Sequence, residues 1–311
     1  MAATVRVGTC SWADESLVKY WYPREIRSSE DRLRYYAEHF DTVEIDATYY
    51  HLPEAETAQK WAARTPTRFL FHVKAFGMMT RHPVKLEQLP PELRDGAPAD
   101  ERDRVERPSR AFRGEVFRRF REGLAPLREA GKLGGILLQF PSYIVCKPAS
   151  FEYLEWAHEQ LGGDHMLVEF RHRSWLDDEN RERVLSFLEE LGATHVIVDA
   201  PKTDAKNLVP TVLALTSPIA YVRFHGRNAS TWNIRGKSAA ERFNYLYGDD
   251  ELREWTRAMR EVAEEAQHAY AMFNNNGRSP APPGHSREWI AQAPENAGTF
   301  KKLLTGQARA G

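Results

Sequence analysis

Eight short segments rich in β-branched and aromatic residues alternate along the chain with segments that have the periodicity of amphipathic helices. The strand-like segments are residues 5–9, 42–46, 68–74, 135–140, 166–171, 195–199, 220–225 and 269–274. Strands that alternate with helices pair in parallel through right-handed crossovers. Eight such units in 311 residues fit a closed barrel better than an open sheet. The sequence therefore predicts an α/β fold, a (β/α)8 or TIM barrel that forms a single domain over residues 1–311.

Two segments interrupt this alternation. Residues 78–108, rich in proline and mixed charge, follow the third strand, and residues 277–293, rich in glycine and proline at their start, follow the eighth. Loops after barrel strands lie at the C-terminal mouth. Long loops there can act as lids over a site or can simply be solvated, and both interpretations stay open.

The overall charge and the cysteines exclude several classes of protein. The formal net charge is −1, which gives no global attraction to nucleic acid or to an acidic membrane surface. Cys10 and Cys146 are too far apart in sequence to form a disulfide framework or a zinc motif, and this usage fits a reducing cytosol. No apolar run approaches the ~20 residues that span a bilayer, and no signal-peptide pattern precedes the first strand. We expect a cytoplasmic protein without a membrane partner.

Strand alternation predicts a polar barrel interior. Val43 and Ile45 are β-branched and lie two residues apart, so Glu44 and Asp46 must point to the opposite face. The same alternation predicts further inward-facing polar residues on six later strands, namely His72, Lys74, Gln139, Glu169, Arg171, Asp199, Arg223, His225 and Asn274. These residues concentrate toward the C-terminal strand ends, where barrels of this class place their active sites.

Buried carboxylates require buried cations, and the inward-facing set contains both. An ion-pair network could serve only to fill the barrel. Desolvating many charges is costly, however, and an apolar filling is often as stable. A group of charges at one end of the barrel therefore favours a functional site.

Several motifs together resemble the YecE-like family, a domain of unknown function (domain of unknown function 72). They are GTCSW at 8–12, WYP at 21–23, VEIDATYY at 43–50, Lys74 followed by Thr80 and His82, LGGILLQFP at 133–141, VEFRHRSW at 168–175, RFHG at 223–226 and FNNN at 273–276. The resemblance covers nearly the whole chain and implies a TIM barrel, but it implies no reaction. Asn276 stands where the family usually has histidine, and residues 277–293 lengthen the segment before the last helix.

The first functional hypothesis is an enzyme that applies acid/base chemistry to a small anionic substrate. Lys74, Arg171 and Arg223 would bind its phosphate or carboxylate group. Glu44 or Glu169 would be the general base, and His225 or His72 the general acid, since burial and neighbouring charges can move their pKa values toward neutrality. The remaining predicted substrate-binding residues are Asp46, Gln139, Asp199 and Asn274, with Trp12, Tyr49 and Trp175 as aromatic groups that either stack on the substrate or only pack.

Two alternatives remain open. One is a metal-dependent phosphodiesterase or isomerase whose ligands would come from Glu44, Asp46, Glu169, Asp199, His72 and His225. The interior cations and the lack of an HxH or HExxH cluster weigh against it, so neither a metal nor a cofactor is expected. The other is a non-catalytic module that contacts nucleic acid through Arg223, Arg227, Arg235 and Lys237.

Overall fold

Eight parallel strands form the barrel in a computed structural model that describes residues 2–233 and 239–306. They are β1 Val5–Thr9, β2 Thr42–Ile45, β3 Leu70–Lys74, β4 Leu133–Gln139, β5 Met166–Glu169, β6 Thr194–Asp199, β7 Ile219–Phe224 and β8 His268–Phe273. Their order in the sheet is β1-β8-β7-β6-β5-β4-β3-β2, with every hydrogen-bonded pair parallel. Each predicted strand is present to within two residues at either end. The predicted TIM barrel is therefore confirmed.

Helices surround the strands. They are α1 Glu15–Tyr20, α2 Ser29–His39, α3 Ala55–Ala63, α4 Pro91–Arg94, α5 Arg110–Gly123, α6 Ala125–Glu129, α7 Pro148–Leu161, α8 Arg181–Leu191, α9 Ala229–Trp232, α10 Ala239–Arg242, α11 Asp249–Glu265 and α12 Gln292–Leu304, with 3-10 turns at Ala47–Tyr49, Gly77–Thr80, Leu86–Gln88 and Arg173–Trp175. The described residues include no helix with the length and apolarity needed to cross a bilayer.

Local capping explains two helix boundaries. The sequence Ser-Ser-Glu-Asp at 28–31 predicts a helix start, and the Ser28 hydroxyl accepts a hydrogen bond from the Asp31 amide at the beginning of α2. The acidic sequence Asp-Asp-Glu at 177–179 predicts a helix start, which is wrong, because the Asp177 carboxylate accepts from the Asn180 amide and forms a separate turn. Helix α8 therefore begins at Arg181. Its last residue, Leu191, is followed by the glycine that the sequence predicts as its stop, Gly192, whose φ of 68° favours glycine.

Strands β1 and β2 meet without a backbone ladder in the described chain. They approach closely all the same, because a Cβ on Gly8 would lie 2.2 Å from the carbonyl oxygen of Thr42. The Tyr36 hydroxyl of α2 bridges the two strands. It accepts from the Thr9 amide at 2.8 Å and donates to the Thr42 carbonyl at 3.2 Å. A side chain thus supplies the link that strand pairing supplies elsewhere in the barrel.

The hydrophobic core has one cluster inside the barrel and one between the strands and the helices. Together they show that the orientation predicted for the residues of one strand, β6, is wrong. Val196 and Val198 belong to the cluster inside the barrel, whereas Ile197 packs in the layer between strands and helices. The inward orientation predicted for Asp199 is therefore wrong, since Asp199 alternates with Val198. The three residues immediately before Asp199 on β6, Val196, Ile197 and Val198, are apolar on both faces, so alternation did not distinguish the two sides.

The two long segments after β3 and β8 have structure of their own. Within residues 78–108, Val84–Lys85 pairs antiparallel with Arg104–Val105. Within residues 277–293, Arg278–Pro280 pairs antiparallel with Trp289–Ala291. The Arg278 guanidinium lies 5.5 Å from the ring centre of Tyr20 and 4.5 Å from that of Trp289, which fixes this second segment against α1. A role as lids stays a prediction for both.

Candidate functional site

Arg223 lies at the centre of the barrel mouth, with none of its side chain exposed. One terminal nitrogen, Nη2, donates to Glu44 Oε1 at 2.6 Å and lies 3.6 Å from Cys10 Sγ. The other, Nη1, donates to Glu169 Oε2. One guanidinium therefore joins strands β2, β5 and β7. Because its side chain is enclosed beneath the mouth surface and both terminal nitrogens are occupied, Arg223 organises the groups around it.

Glu169 is the most heavily bonded carboxylate of the cluster. Its Oε1 accepts from Gln139 Nε2 at 2.9 Å and from His225 Nε2 at 3.0 Å, and it lies 2.9 Å from Arg171 Nε. Burial works to raise the pKa of Glu169, but the charges of Arg223 and Arg171 outweigh it and hold the pKa well below its usual value. Glu169 is therefore ionised.

Glu44 binds the same arginine but has the opposite shift. Its Oε2 accepts from the Tyr221 hydroxyl at 2.9 Å. Burial, reinforced by the charge of Asp46, raises the pKa of Glu44 to about 7 despite Arg223 and Lys74. Two carboxyl groups whose pKa values are driven apart are the usual arrangement of an acid/base pair.

His225 is buried between the cluster and a layer of aromatic residues. The Asn274 amide donates to its Nδ1 at 2.8 Å, so Nε2 carries the hydrogen that is donated to Glu169. Its ring stacks on Phe243 at 5.2 Å. Burial lowers the pKa of His225 to about 3, and both ring nitrogens are engaged. In this arrangement His225 fixes the orientation of Glu169.

Lys74, Asp46 and Tyr49 form the more exposed side of the mouth. Lys74 Nζ lies 3.5 Å from Asp46 Oδ1 and 5.0 Å from the Tyr49 ring centre. Asp46 Oδ1 also lies 3.9 Å from Arg223 Nη2, and the Asp46 side chain is 26% exposed. Asp46 therefore links the buried cluster to solvent.

A cleft of about 220 Å³ opens beside this cluster. Its lining residues are His82, Gln139, Phe140, Pro141, Ser142, Arg171, Asn207, Trp232 and Arg242. The Arg171 guanidinium lies over the rings of Trp232 and Phe243 at 5.2 and 5.8 Å. Among the described residues, its terminal nitrogens make no hydrogen bond. Arg171 and Gln139 thus connect the cleft wall to Glu169.

Sequence reasoning did not select His82, Asn207, Trp232 or Arg242 as site residues. His82 had one signal, its place in the motif that follows Lys74. The other three lie on loops or short helices beyond the strand ends, where strand alternation gives no information.

His72 lies at a deeper level of the barrel than the mouth cluster. Its ring lies 4.9 Å from that of Tyr221 and 4.3 Å from that of Tyr270, and its Nδ1 is 3.2 Å from the Thr42 hydroxyl. Burial lowers the pKa of His72 to about 3. The structure therefore does not bring His72 to the cleft.

Both predicted tryptophans pack in the protein core. Trp12 makes edge contacts with Trp61 and Phe71 at 5.6 and 6.3 Å. Trp175 stacks on Phe170 at 4.2 Å, and its Nε1 donates to the Ile144 carbonyl at 2.8 Å. Neither residue lines the cleft, whereas Trp232 does.

Asp199 belongs to a separate network. Its carboxylate accepts from the Tyr247 hydroxyl at 2.6 Å and pairs with Arg227 at 2.9 Å. Arg227 in turn pairs with Glu251 at 3.1 Å. Of the other predicted nucleic-acid contacts, Arg223 is enclosed, and Arg235 and Lys237 lie outside the described residues.

Within residues 2–233 and 239–306, no three histidine, cysteine, aspartate or glutamate side chains are grouped so as to hold a metal ion.

Comparison with known proteins decides the family. The family described as "Protein of unknown function DUF72" matches residues 6–309. The chain belongs to this family. The YecE-like resemblance inferred from the motifs is thereby confirmed.

Individual DUF72 relatives match over most of their lengths. UPF0759 protein YunF of Bacillus subtilis strain 168 is 33% identical over 276 residues, 88% of this chain and 89% of YunF. UPF0759 protein YecE of Escherichia coli K12 is 25% identical over 235 residues, 70% of this chain and 75% of YecE. The crystal structure of the DUF72 protein TM1631 of Thermotoga maritima MSB8 has a TM-score of 0.73 at 30% identity, covering 97% of this chain and 99% of that chain.

Proposed function

We propose that this DUF72 protein binds a small substrate with a phosphate or carboxylate group in the cleft and acts on it by acid/base chemistry. One observation carries the proposal. Arg171 and Arg242 both line the cleft, and no carboxylate does among the described residues. Arginine donors bind phosphate and carboxylate in bidentate fashion, and Asn207 and Ser142 on the same wall supply neutral hydrogen-bonding groups.

The charges around the cleft also favour an anion. Lys74, Arg171 and Arg223 are balanced by Glu44, Asp46 and Glu169 only when all three acids are ionised. Because the pKa of Glu44 is about 7, this acid is half protonated near neutral pH. The cluster then carries a positive excess, which Arg242 increases. An anion in the cleft would compensate that excess.

Glu44 is the candidate proton store. It is fully buried, and the carboxylate of its neighbour Asp46 is the more exposed of the two. An acid with a pKa near the working pH can both give and accept a proton. Glu169, held ionised and fixed by its many partners, keeps Arg171 and His225 in place.

The test is calorimetric titration of the purified protein with inorganic phosphate, citrate and a panel of phosphorylated and carboxylated metabolites. Arg171→Met and Arg242→Met should each weaken binding of the active anion about tenfold or more, the effect of losing a charged hydrogen bond. Arg257→Met is the matched control, since Arg257 is exposed on α11, away from the mouth. If no anion binds, or if Arg257→Met weakens binding as much as Arg171→Met, the proposal is wrong.

A further inference from the structure

His82 enters the cleft from a backbone turn that few residues adopt. The residue before it, Arg81, has φ 65° and ψ 20°, a left-handed conformation that side chains other than glycine rarely take. Such conformations cost free energy and persist where the surroundings impose them, often at functional sites. The turn places the half-buried His82 beside Arg171 and Gln139.

Several contacts hold this turn. The Tyr143 hydroxyl donates to the Arg81 carbonyl at 2.7 Å, and the Arg81 guanidinium lies 5.2 Å from the Tyr153 ring centre. The His82 amide donates to the Gly77 carbonyl at 3.0 Å. The Tyr49 ring meets the imidazole edge to face at 5.2 Å. The position of the imidazole is therefore fixed from both its backbone and its ring.

Hydrogen bonding also selects the tautomer of His82. The Thr80 hydroxyl donates its single hydrogen to the Gly77 carbonyl at 3.1 Å, and the same oxygen lies 2.8 Å from His82 Nδ1. With the hydroxyl hydrogen on that carbonyl, Nδ1 carries a hydrogen of its own and donates it to the hydroxyl oxygen. Nε2 is left as a bare acceptor, and no group among the described residues bonds to it.

We propose that His82 Nε2 accepts a proton from a hydroxyl group of the substrate, so that the ligand class is a hydroxylated phosphate or carboxylate. This inference rests on the proposed function, because it places the anionic end of the same ligand on Arg171. The O–H bond breaks and its electron pair stays on the substrate oxygen, an N–H bond forms at Nε2, and the imidazolium then returns the proton to that oxygen or to water.

The neighbours of His82 favour rapid return of that proton. Lys74 and Arg171 are the charged groups that act on it, and Tyr49 is the titratable group packed against its ring. Burial, together with these two cations, lowers the pKa of His82 to about 4. The imidazole is therefore neutral and ready to accept at physiological pH, and the imidazolium is short-lived.

The test uses nitrogen NMR of the full chain labelled with ¹⁵N-histidine, with the His82 signals assigned by their loss in His82→Gln. The expected tautomer carries its hydrogen on Nδ1. Inorganic phosphate, which bears at least one hydroxyl group throughout the neutral pH range, should shift the Nε2 signal, and Arg171→Met should abolish that shift. The exposed His285 is the internal control and should not respond.

Each result of this NMR experiment either supports or overturns the role proposed for His82. A hydrogen on Nε2 in the free protein would overturn the inference. Phosphate that binds in an Arg171-dependent manner without moving the Nε2 signal would overturn it too, while leaving the proposed function intact. Absence of phosphate binding would instead count against the proposed function, and the inference would fall with it. Thr80→Val should mix the two tautomers, whereas Arg81→Gly should retain the Nδ1–H form, since glycine adopts the left-handed turn without strain.

Discussion

Glu44 and Glu169 accept hydrogen bonds from the two terminal nitrogens of one guanidinium, yet one has a raised pKa and the other a lowered pKa. The difference lies in their other partners. Glu169 also faces Arg171 and the donors Gln139 and His225, whereas Glu44 faces Asp46 and a single tyrosine hydroxyl. One ionised anchor and one titrating acid therefore share the same cation.

We predict that anion binding is coupled to proton uptake by Glu44. Below its pKa of about 7 the cluster carries one more positive charge than above it, so sulfate affinity should fall about tenfold between about pH 6 and pH 8. Sulfate is the suitable probe because it does not itself titrate in this range. Calorimetry in two buffers of different ionisation enthalpy should show protons taken up near pH 7.

Glu44→Gln is the matched variant for that titration. Arg223 keeps Glu169 as its partner, and the amide can still bond to Tyr221. The groups that face Glu44 are Arg223, Tyr221, Asp46, Lys74 and Cys10. Sulfate affinity in Glu44→Gln should be independent of pH and close to that of the wild type at low pH. A pH dependence identical to the wild type would assign the effect to another group.

Glu44 should also make the free energy of unfolding depend on pH. Its folded pKa of about 7 exceeds its ordinary value of 4.5, so the native state binds the proton more tightly than the unfolded state. The contribution of Glu44 to stability is therefore fully present below the ordinary value and is lost as pH rises toward 7. Urea unfolding at several pH values should show this loss in the wild type and not in Glu44→Gln.

Glu169→Gln should destabilise the fold by about 3–5 kcal/mol, because it leaves Arg171 without its ion-pair partner and leaves Arg223 with Glu44 as its remaining carboxylate at hydrogen-bond distance. The pKa of Glu169 is lowered, so its stabilising effect is present above the ordinary carboxyl pKa and fades as pH falls through the folded value. Urea unfolding at neutral pH measures the loss. Glu264→Gln, on the exposed face of α11, is the control and should change stability by about 0.5 kcal/mol or less. A similarly small effect in Glu169→Gln would contradict the network described here.

Tyr36→Phe should weaken the junction of β1 and β2 without removing the ring from the core. Loss of the hydroxyl leaves the Thr9 amide without its partner, at a cost of about 1–3 kcal/mol. Thermal unfolding measures the change. Tyr35→Phe is the neighbouring control, since the Tyr35 hydroxyl makes no hydrogen bond among the described residues. Equal effects of the two variants would show that the bridge contributes nothing.

The strands and the inner charges of β2, β5 and β7 were predictable because polar residues alternate there with β-branched or aromatic ones. On β6 the same rule misplaced Asp199, since Val196, Ile197 and Val198 are apolar on both faces and only the three-dimensional packing separates them. Residue type likewise did not separate a packing tryptophan, Trp175, from one on the cleft wall, Trp232.

The cleft itself was beyond sequence reasoning for a related reason. Arg242 reaches it from α10, and His82 reaches it through the left-handed turn at Arg81. Neither position follows from a strand or helix period, because each depends on how a loop folds back over the barrel. Only the folded arrangement of those loops brings such residues to the cleft.

Because β1 and β2 share no backbone ladder in the described chain, we expect the barrel to open most easily between these two strands. Strand separation there costs fewer backbone hydrogen bonds than at any other described pair of neighbours, and the fully buried Cys10 follows directly after β1. Its thiol is therefore a suitable reporter. The rate of its alkylation under native conditions would measure how fast these two strands separate, well before the whole protein unfolds. A change that weakens this junction should speed alkylation of Cys10 while the other strand pairs of the barrel remain hydrogen-bonded.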